Sequence, residues 1–358
     1  MSARRIGPAP RTARPRMNLL EQQASNRRRT WLVMAAFVAI VVFIGAGVDL
    51  FIVGNGETFV PVASLVALGV SGGQAWWGLR NGDRSVLRSA KAVPVADRLA
   101  QAEAAEDRHA WRQLENVVEE MSIAAGLPRP AVWVIPDADP NAFATGRDPE
   151  HASIAVTEGL LRALNREELQ GVVAHEMAHI RNYDIRLMTV VAALVGALLL
   201  LSDWATRTMR FGGGRRARPR GRKRDGGGVE IVVILVWVVA VALAPVVGRL
   251  LALAVSRRRE YLADATGAEL TRNPLALASA LEKIEAAVDP TPAIKRGSAH
   301  LCIADPMGFR IDDREGFWAD LWATHPPMSR RIAALRAMGY ARGSEECSTD
   351  SAREVPEV

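Results

Sequence analysis

Four uncharged apolar runs interrupt an otherwise strongly charged chain, and they limit what it can fold into. They are Trp31 to Val48, Thr58 to Leu79, Leu187 to Ser202 and Ile231 to Gly248, the last continuing apolar to Val255. A bilayer core of roughly 30 Å takes about 20 helical residues, so the first, second and fourth are long enough to span it. The third has only 16 residues. It reads either as a span or as a buried core helix.

The charges between these runs are uneven. Residues 1–30 hold eight arginines against the single acid Glu21, and residues 203–230 hold eight arginines and Lys223 against three acids. Basic stretches of this kind bind nucleic acid or face anionic headgroups. Beside apolar runs, the lipid bilayer is the expected partner and nucleic acid is not. No small-x-small cleavage site follows the first run, and a second run follows at once, which argues against a signal peptide. Residues 31–79 therefore read as a helical hairpin, with Trp76 and Trp77 at a membrane interface. The arginines before it, and Arg80, Arg84 and Arg88 after it, place both ends in the cytoplasm.

The layout expected is a basic cytoplasmic segment at 1–30, a transmembrane hairpin at 31–79 and soluble protein at 80–186. A second membrane hairpin follows at 187–255 around the Gly/Arg-rich loop 205–229, then soluble protein at 256–342 and a disordered tail at 343–358. Two cysteines, Cys302 and Cys347, are too few for a disulfide framework and fit a reducing compartment. The chain reads as a multi-pass protein of the plasma membrane whose soluble part faces the cytoplasm.

Within the soluble part, apolar positions at helical spacing predict a helix over 107–125, stopped by Gly126 ahead of Pro128. Ala131–Ile135 and Ser153–Thr157 predict short buried strands. Asn165 with Glu167 and Glu168 opens another helix, and Asn273-Pro274 begins one that runs to about Val288.

The chemistry concentrates in His175-Glu176-Met177-Ala178-His179. Residues four apart share a helix face, so both imidazoles reach one metal, and Glu176 reaches a water that the metal polarises. Zinc acidifies such a water, and the carboxylate takes its proton during attack on a carbonyl. The chain has six histidines, so two at this spacing around a glutamate are unlike a chance pairing. A catalytic site needs a third protein ligand. Glu260 is the candidate, with Asp264 one turn on to hold a ligand histidine. From spacing alone, the two read equally as an acidic pair in solvent, balanced by Arg257, Arg258 and Arg259.

Four motifs in order carry a resemblance. They are Asn141-Ala142-Phe143-Ala144-Thr145-Gly146, then His175 to His179, then Ser256-Arg257 through Arg259-Glu260-Tyr261 to Asp264, and Thr324-His325-Pro326-Pro327. Together they resemble the HtpX-type membrane zinc metallopeptidases, whose wider family includes the CAAX prenyl proteases. The likeness extends from about Leu114 to Leu335. It implies an α+β, gluzincin-like fold: a small antiparallel sheet, an active-site helix and about four transmembrane helices. It implies one zinc held by His175, His179 and Glu260, with Glu176 catalytic and Asp264 orienting a ligand. It also implies that Asn141 and Ala142 belong to an edge strand binding the substrate backbone, and that His325 steadies the oxyanion. The final helix departs from the family pattern, having Ser329 before Arg330-Arg331, which weakens any claim about a salt bridge there but leaves the zinc site untouched.

The expected function is an endopeptidase acting on polypeptides, with membrane proteins as substrates in protein quality control. A CAAX-type processing protease and a metal-binding scaffold without turnover are the alternatives. The first belongs to a branch with more spanning helices, and the second would need a broken Glu176.

Overall fold

A computed structural model describes residues 19–53, 61–101, 104–196, 257–287, 301–303 and 326–351. His325, the loop 205–229, the run at 231–248 and residues 197–202 of the third run lie outside these residues.

Two long helices open the fold, α1 (Leu19–Val53) and α2 (Val62–Ser89). At one end of this pair, the buried Asp49 carboxylate accepts from both the backbone N–H and the hydroxyl of Ser64, at 2.7 and 2.6 Å. That contact satisfies donors in the first turn of α2, where Pro61 supplies no side-chain cap. Val33, Phe37, Ala75 and Leu79 pack with Leu187 and Val191 of a helical segment at 184–196, here α7. Outward, the pair presents bare apolar surface, with Phe43 at 74%, Val70 at 65% and Leu65 at 59% exposure.

Among the described residues, no helix is long and apolar enough to cross a membrane. In α2, the apolar run is diluted by Ser71, Gly72, Gly73 and Gln74.

The catalytic-domain elements follow. Strand β1 (Val93–Pro94), α3 (Val95–Gln101) and α4 (Ala105–Ala125) lead to β2 (Ala131–Ile135), β3 (Ala142–Gly146) and β4 (Ala152–Thr157). Then come α5 (Glu158–Ala163), α6 (Arg166–Arg181), α7, α8 (Arg257–Thr271), α9 (Pro274–Ala286) and α10 (Met328–Ser351). Helix α4 ends as the sequence predicts, with Gly126 left-handed at φ 65°, a conformation that is costly for residues bearing a Cβ.

The sheet has strand order β1-β2-β4-β3. It corrects the expectation of an antiparallel sheet, because β2 and β4 pair parallel, with Trp133 opposite Ala155. The chain reverses into β3 and again into β4, so β4 runs in the direction of β2. It then lodges between β2 and β3 and must pair parallel with the first and antiparallel with the second. Strand β4 is buried along its whole length, as a central strand covered on both faces requires.

Helix α6 lies at the centre of the core, with Leu169, Val172, Val173 and Met177 inaccessible or nearly so. Helices α8 and α9 cross it closely, since a Cβ at Gly267 would meet the His175 backbone nitrogen at 3.1 Å and one at Gly171 would meet Leu277 at 3.0 Å. Helix α10 continues to Ser351, past position 343, where polar composition reads as a disordered tail. No proline interrupts it, and the same composition suits a solvent-facing helix.

Candidate metal centre

Asn165 fixes the start of α6. Its side chain accepts from Glu168 N–H, and the Glu168 carboxylate accepts from Asn165 N–H, at 2.9 and 2.8 Å. From this capped helix, His175 and His179 project side by side, their rings edge-on with centroids 4.9 Å apart. Helix α8 brings Glu260 against both, Oε2 at 3.7 Å from His175 Nε2 and Oε1 at 3.6 Å from His179 Nε2. Among the described residues, these three offer donor atoms all within 4.8 Å of one another, and all three are buried.

The other ring nitrogens face carboxylates. Asp264 Oδ1 lies 2.9 Å from His175 Nδ1, though off the line of a ring N–H. Asp184 Oδ2 lies 3.2 Å from His179 Nδ1. A carboxylate on Nδ1 fixes the tautomer that leaves Nε2 free for a metal. Both Nε2 atoms face Glu260.

Zinc fits this set by distance and by charge. Ligands on a tetrahedral zinc, with bonds of about 2.0–2.1 Å, sit roughly 3.4 Å from one another. The pairs at 3.6 and 3.7 Å need only a small contraction. Among the described residues, Glu176, Asp184, Glu260 and Asp264 are buried together with the cations Arg259 and Arg331, a formal surplus of two negative charges in that set. Buried charge needs compensation, which a divalent cation supplies.

The titration directions follow from the same crowding. Burial lowers the pKa of His179, but the Asp184 bond and the Glu260 charge outweigh it and raise the imidazole to about 9. Glu176 is raised, chiefly by burial, against the opposing influence of the two histidines. One of its oxygens, Oε2, is buried with no hydrogen-bond partner, while the carboxylate accepts from Ala144 N–H of β3. An unpartnered carboxylate oxygen beside a ligand set suits a group that must receive a proton.

Arg331 is the residue the sequence reading missed. It is the largest fully buried side chain among the described residues and grips Asp264 through Nε at 2.8 Å and Nη2 at 2.7 Å. Nη1 donates to Ile303 O at 3.1 Å and lies 3.6 Å from Glu260 Oε2. A salt bridge therefore does form at the start of the final helix, and its partner comes from α8 and not from the adjacent sequence. Burial raises the Asp264 pKa, but Arg331 outweighs it and holds the carboxyl at about 2. Asp184 was missed as well. It lies five residues past His179, just beyond the α6 cap at Asn182, a spacing that could have marked it.

Strand β3 is the edge of the sheet, beside the site. Asn141 and Ala142 stand at its head, but their outward groups are engaged. Asn141 Oδ1 accepts from Ala142 N–H at 3.0 Å, and Ala142 O accepts from Ile303 N–H at 3.0 Å. Farther along, Gly146 N–H donates to Thr189 Oγ1 at 3.0 Å.

Comparison with known proteins agrees with this geometry. The model of peptidase family M48 matches residues 108–339. The protease HtpX homolog of Caldanaerobacter subterraneus is 41% identical over 321 residues, covering 89% of this chain and 98% of its own. That of Thermoanaerobacter pseudethanolicus is 40% identical over 323 residues, covering 90% and 99%. A solved structure, S. mikatae Ste24p, aligns over 88% of this chain and 67% of its own at 16% identity and a TM-score of 0.43, a likeness too distant to support any argument. The chain belongs to peptidase family M48 and is a metalloprotease of the HtpX type.

Proposed function

We propose that the chain is a zinc endopeptidase held in the plasma membrane, with its catalytic domain in the cytoplasm, that cleaves membrane proteins in quality control. The observation that carries the chemistry is the buried set His175, His179 and Glu260 with the unpartnered Glu176 oxygen beside it. Zinc, when bound there, supplies a Lewis acid that polarises the scissile carbonyl and acidifies a water. Glu176 takes the proton of the attacking water and passes it to the leaving amine, a role its burial-raised pKa favours. Asp264 and Asp184 hold the two imidazoles, and Arg331 holds Asp264.

Asn141 and Ala142 bind the substrate backbone by strand addition on β3 in this reading, with substrate exchanging for Ile303 N–H at the Ala142 carbonyl. His325 steadies developing negative charge. It precedes Pro326 and Pro327, which lead into the helix whose Arg331 already touches the site.

Membrane attachment is supported by the bare apolar faces of α1 and α2. The ends of both helices meet the catalytic domain on one side, with Gln23 and Asn26 of α1 on Arg181 and Asn182, and Gly82 of α2 on Thr189. The runs at 187–202 and 231–248 complete four spans.

The deciding experiment compares wild type, Glu176→Gln and Glu260→Ala on a model membrane protein. Wild type should carry one zinc per chain and cleave it. Glu176→Gln should keep the metal and lose turnover by about 10²–10⁴-fold, while Glu260→Ala should lose the metal. Cleavage by Glu176→Gln within a few-fold of wild type would refute the mechanism.

A further inference from the structure

Three apolar runs end at arginines: Trp31 follows the Arg27–Arg29 cluster, Leu79 precedes Arg80 and Leu187 follows Arg186. The fold brings two of these ends, and the loop after β3, around one cavity of about 190 Å³ lined by Trp76, Leu79, Arg80, Arg147, Asp148 and Arg186. Three guanidiniums therefore face a single carboxylate. That carboxylate is already engaged, with Asp148 accepting from Arg147 Nε at 3.3 Å and contacting His151 Nδ1. Arg147 also meets His151 Nε2 through Nη2, at 2.7 Å.

Neither of the other two arginines makes a hydrogen bond or ion pair with a carboxylate among the described residues, although the Asp148 charge acts on Arg186. Arg80 lies over the Trp76 ring, 5.2 Å from its centroid. Arg186 Nε is buried with no hydrogen-bond partner, a state that costs free energy unless a ligand supplies an acceptor. Burial, and then the charge of Arg27, lower the Arg186 pKa against the opposing charge of Asp148.

The position says which anion it takes. Trp76 and Trp77 are 53% and 44% exposed on the same helix, as aromatic side chains at a headgroup level are. Beyond them, α2 exposes apolar surface such as Val70, suited to acyl chains.

We propose that this cavity binds the phosphate of an anionic phospholipid headgroup, with Arg186 Nε donating to it and Arg80 and Arg147 flanking it. The inference rests on the proposed membrane insertion of α1 and α2. Guanidinium forks match phosphate oxygens, and the Trp76–Leu79 wall lets the glycerol end leave toward the apolar faces. A lipid bound there would join α2, α7 and the loop after β3.

The test uses the full-length protein in mild detergent, with native mass spectrometry of bound phosphatidylglycerol or phosphatidylcholine at equal concentration. Wild type should retain phosphatidylglycerol in preference. Arg186→Gln, and separately Arg147→Gln on its exposed loop, should each weaken that retention on the order of tenfold, with zinc content and unfolding midpoint unchanged. Equal retention of both lipids by wild type, or undiminished preference in both variants, overturns the proposal. Complete displacement of the lipid by millimolar inorganic phosphate would mean a free-anion site and also overturn it. Carbonate extraction of wild-type membranes separates the two readings. Release into the supernatant removes the membrane reading itself, whereas a retained protein without lipid preference removes this inference alone.

Discussion

Asn26 Nδ2 on α1 lies 2.7 Å from Asp184 Oδ1, and Asp184 Oδ2 lies 3.2 Å from the Nδ1 of His179. A residue of the amino-terminal helix is thus one carboxylate away from a candidate metal ligand. The same Asn26 amide donates to Asn182 O at 2.9 Å, and Arg259 Nε lies 3.1 Å from Asp184 Oδ1. Asp184 is therefore held by α1 and α8 together.

Partners that orient a ligand imidazole typically account for about 10–100-fold in metal affinity. Asp184→Ala should weaken zinc binding by that order, read by competition with a chelator. Asn26→Ala acts at one remove and should cost less. Asn26→Asp keeps the size but sets a carboxylate against Asp184, so it should bind zinc more weakly than Asn26→Ala. If Asn26→Asp binds as tightly as wild type, Asn26 only fills space.

Arg331 sets a second expectation. Removing one partner of a buried ion pair leaves the other unpaired, at a cost of about 3–5 kcal/mol. Arg331→Ala strands Asp264 and leaves Ile303 O without its donor. The unfolding midpoint of the zinc-loaded protein should fall accordingly. Arg331→Lys keeps the charge without the two-pronged grip and should fall between the two. A midpoint for Arg331→Ala equal to wild type would show that the grip adds nothing to stability.

How much of this was legible depends on how local the determinant is. The α6 start at Asn165, the stop at Gly126 and strand β2 are written in adjacent residues, and the structure places all three as predicted. The shared face of the candidate ligands His175 and His179 follows from helical periodicity alone. Glu260 was ambiguous on spacing because its role depends on α8 crossing α6, which Gly267 permits through a contact far apart in sequence. Arg331 and Asn26 were illegible for the same reason, since their partners are 67 and 158 residues away. The parallel β2–β4 pairing was missed because strand order, unlike strand existence, has no local signature.

Gly267 provides the third expectation. Its missing side chain lets α8 lie against the His175 backbone, with the site of a Cβ 3.1 Å from the nitrogen and 3.3 Å from Cα. Backbone cannot swing aside as a flexible side chain can. Gly267→Val should force the helices apart at a cost of about 1–3 kcal/mol and draw Glu260 away from the histidines. Zinc affinity and unfolding midpoint should drop together, and a drop in neither would mean that the crossing has slack.

Glu168 gives the pH dependence. It is buried at the start of α6, where its carboxylate accepts from Asn165 N–H, from Ser279 Oγ at 2.7 Å and from Lys283 Nζ at 2.6 Å. Burial raises its pKa, but the bonds from Lys283, Ser279 and the Asn165 N–H outweigh it and hold the carboxyl below its ordinary 4.5. A folded-state pKa below the unfolded one means that the unfolded chain binds the proton first. The stabilisation is therefore complete above the unfolded value and is lost as pH falls through the lowered folded one. Glu168→Gln keeps the shape but cannot carry the charge, so it should be less stable at neutral pH and should flatten the acid limb of the unfolding midpoint. Glu168→Ala, which also breaks the reciprocal cap, should cost about 1–3 kcal/mol at neutral pH. Thermal unfolding of wild type and both variants from pH 7 down to about pH 2 measures this. A gap between wild type and Glu168→Gln that does not narrow below the ordinary 4.5 would show that the carboxylate charge contributes nothing to the fold.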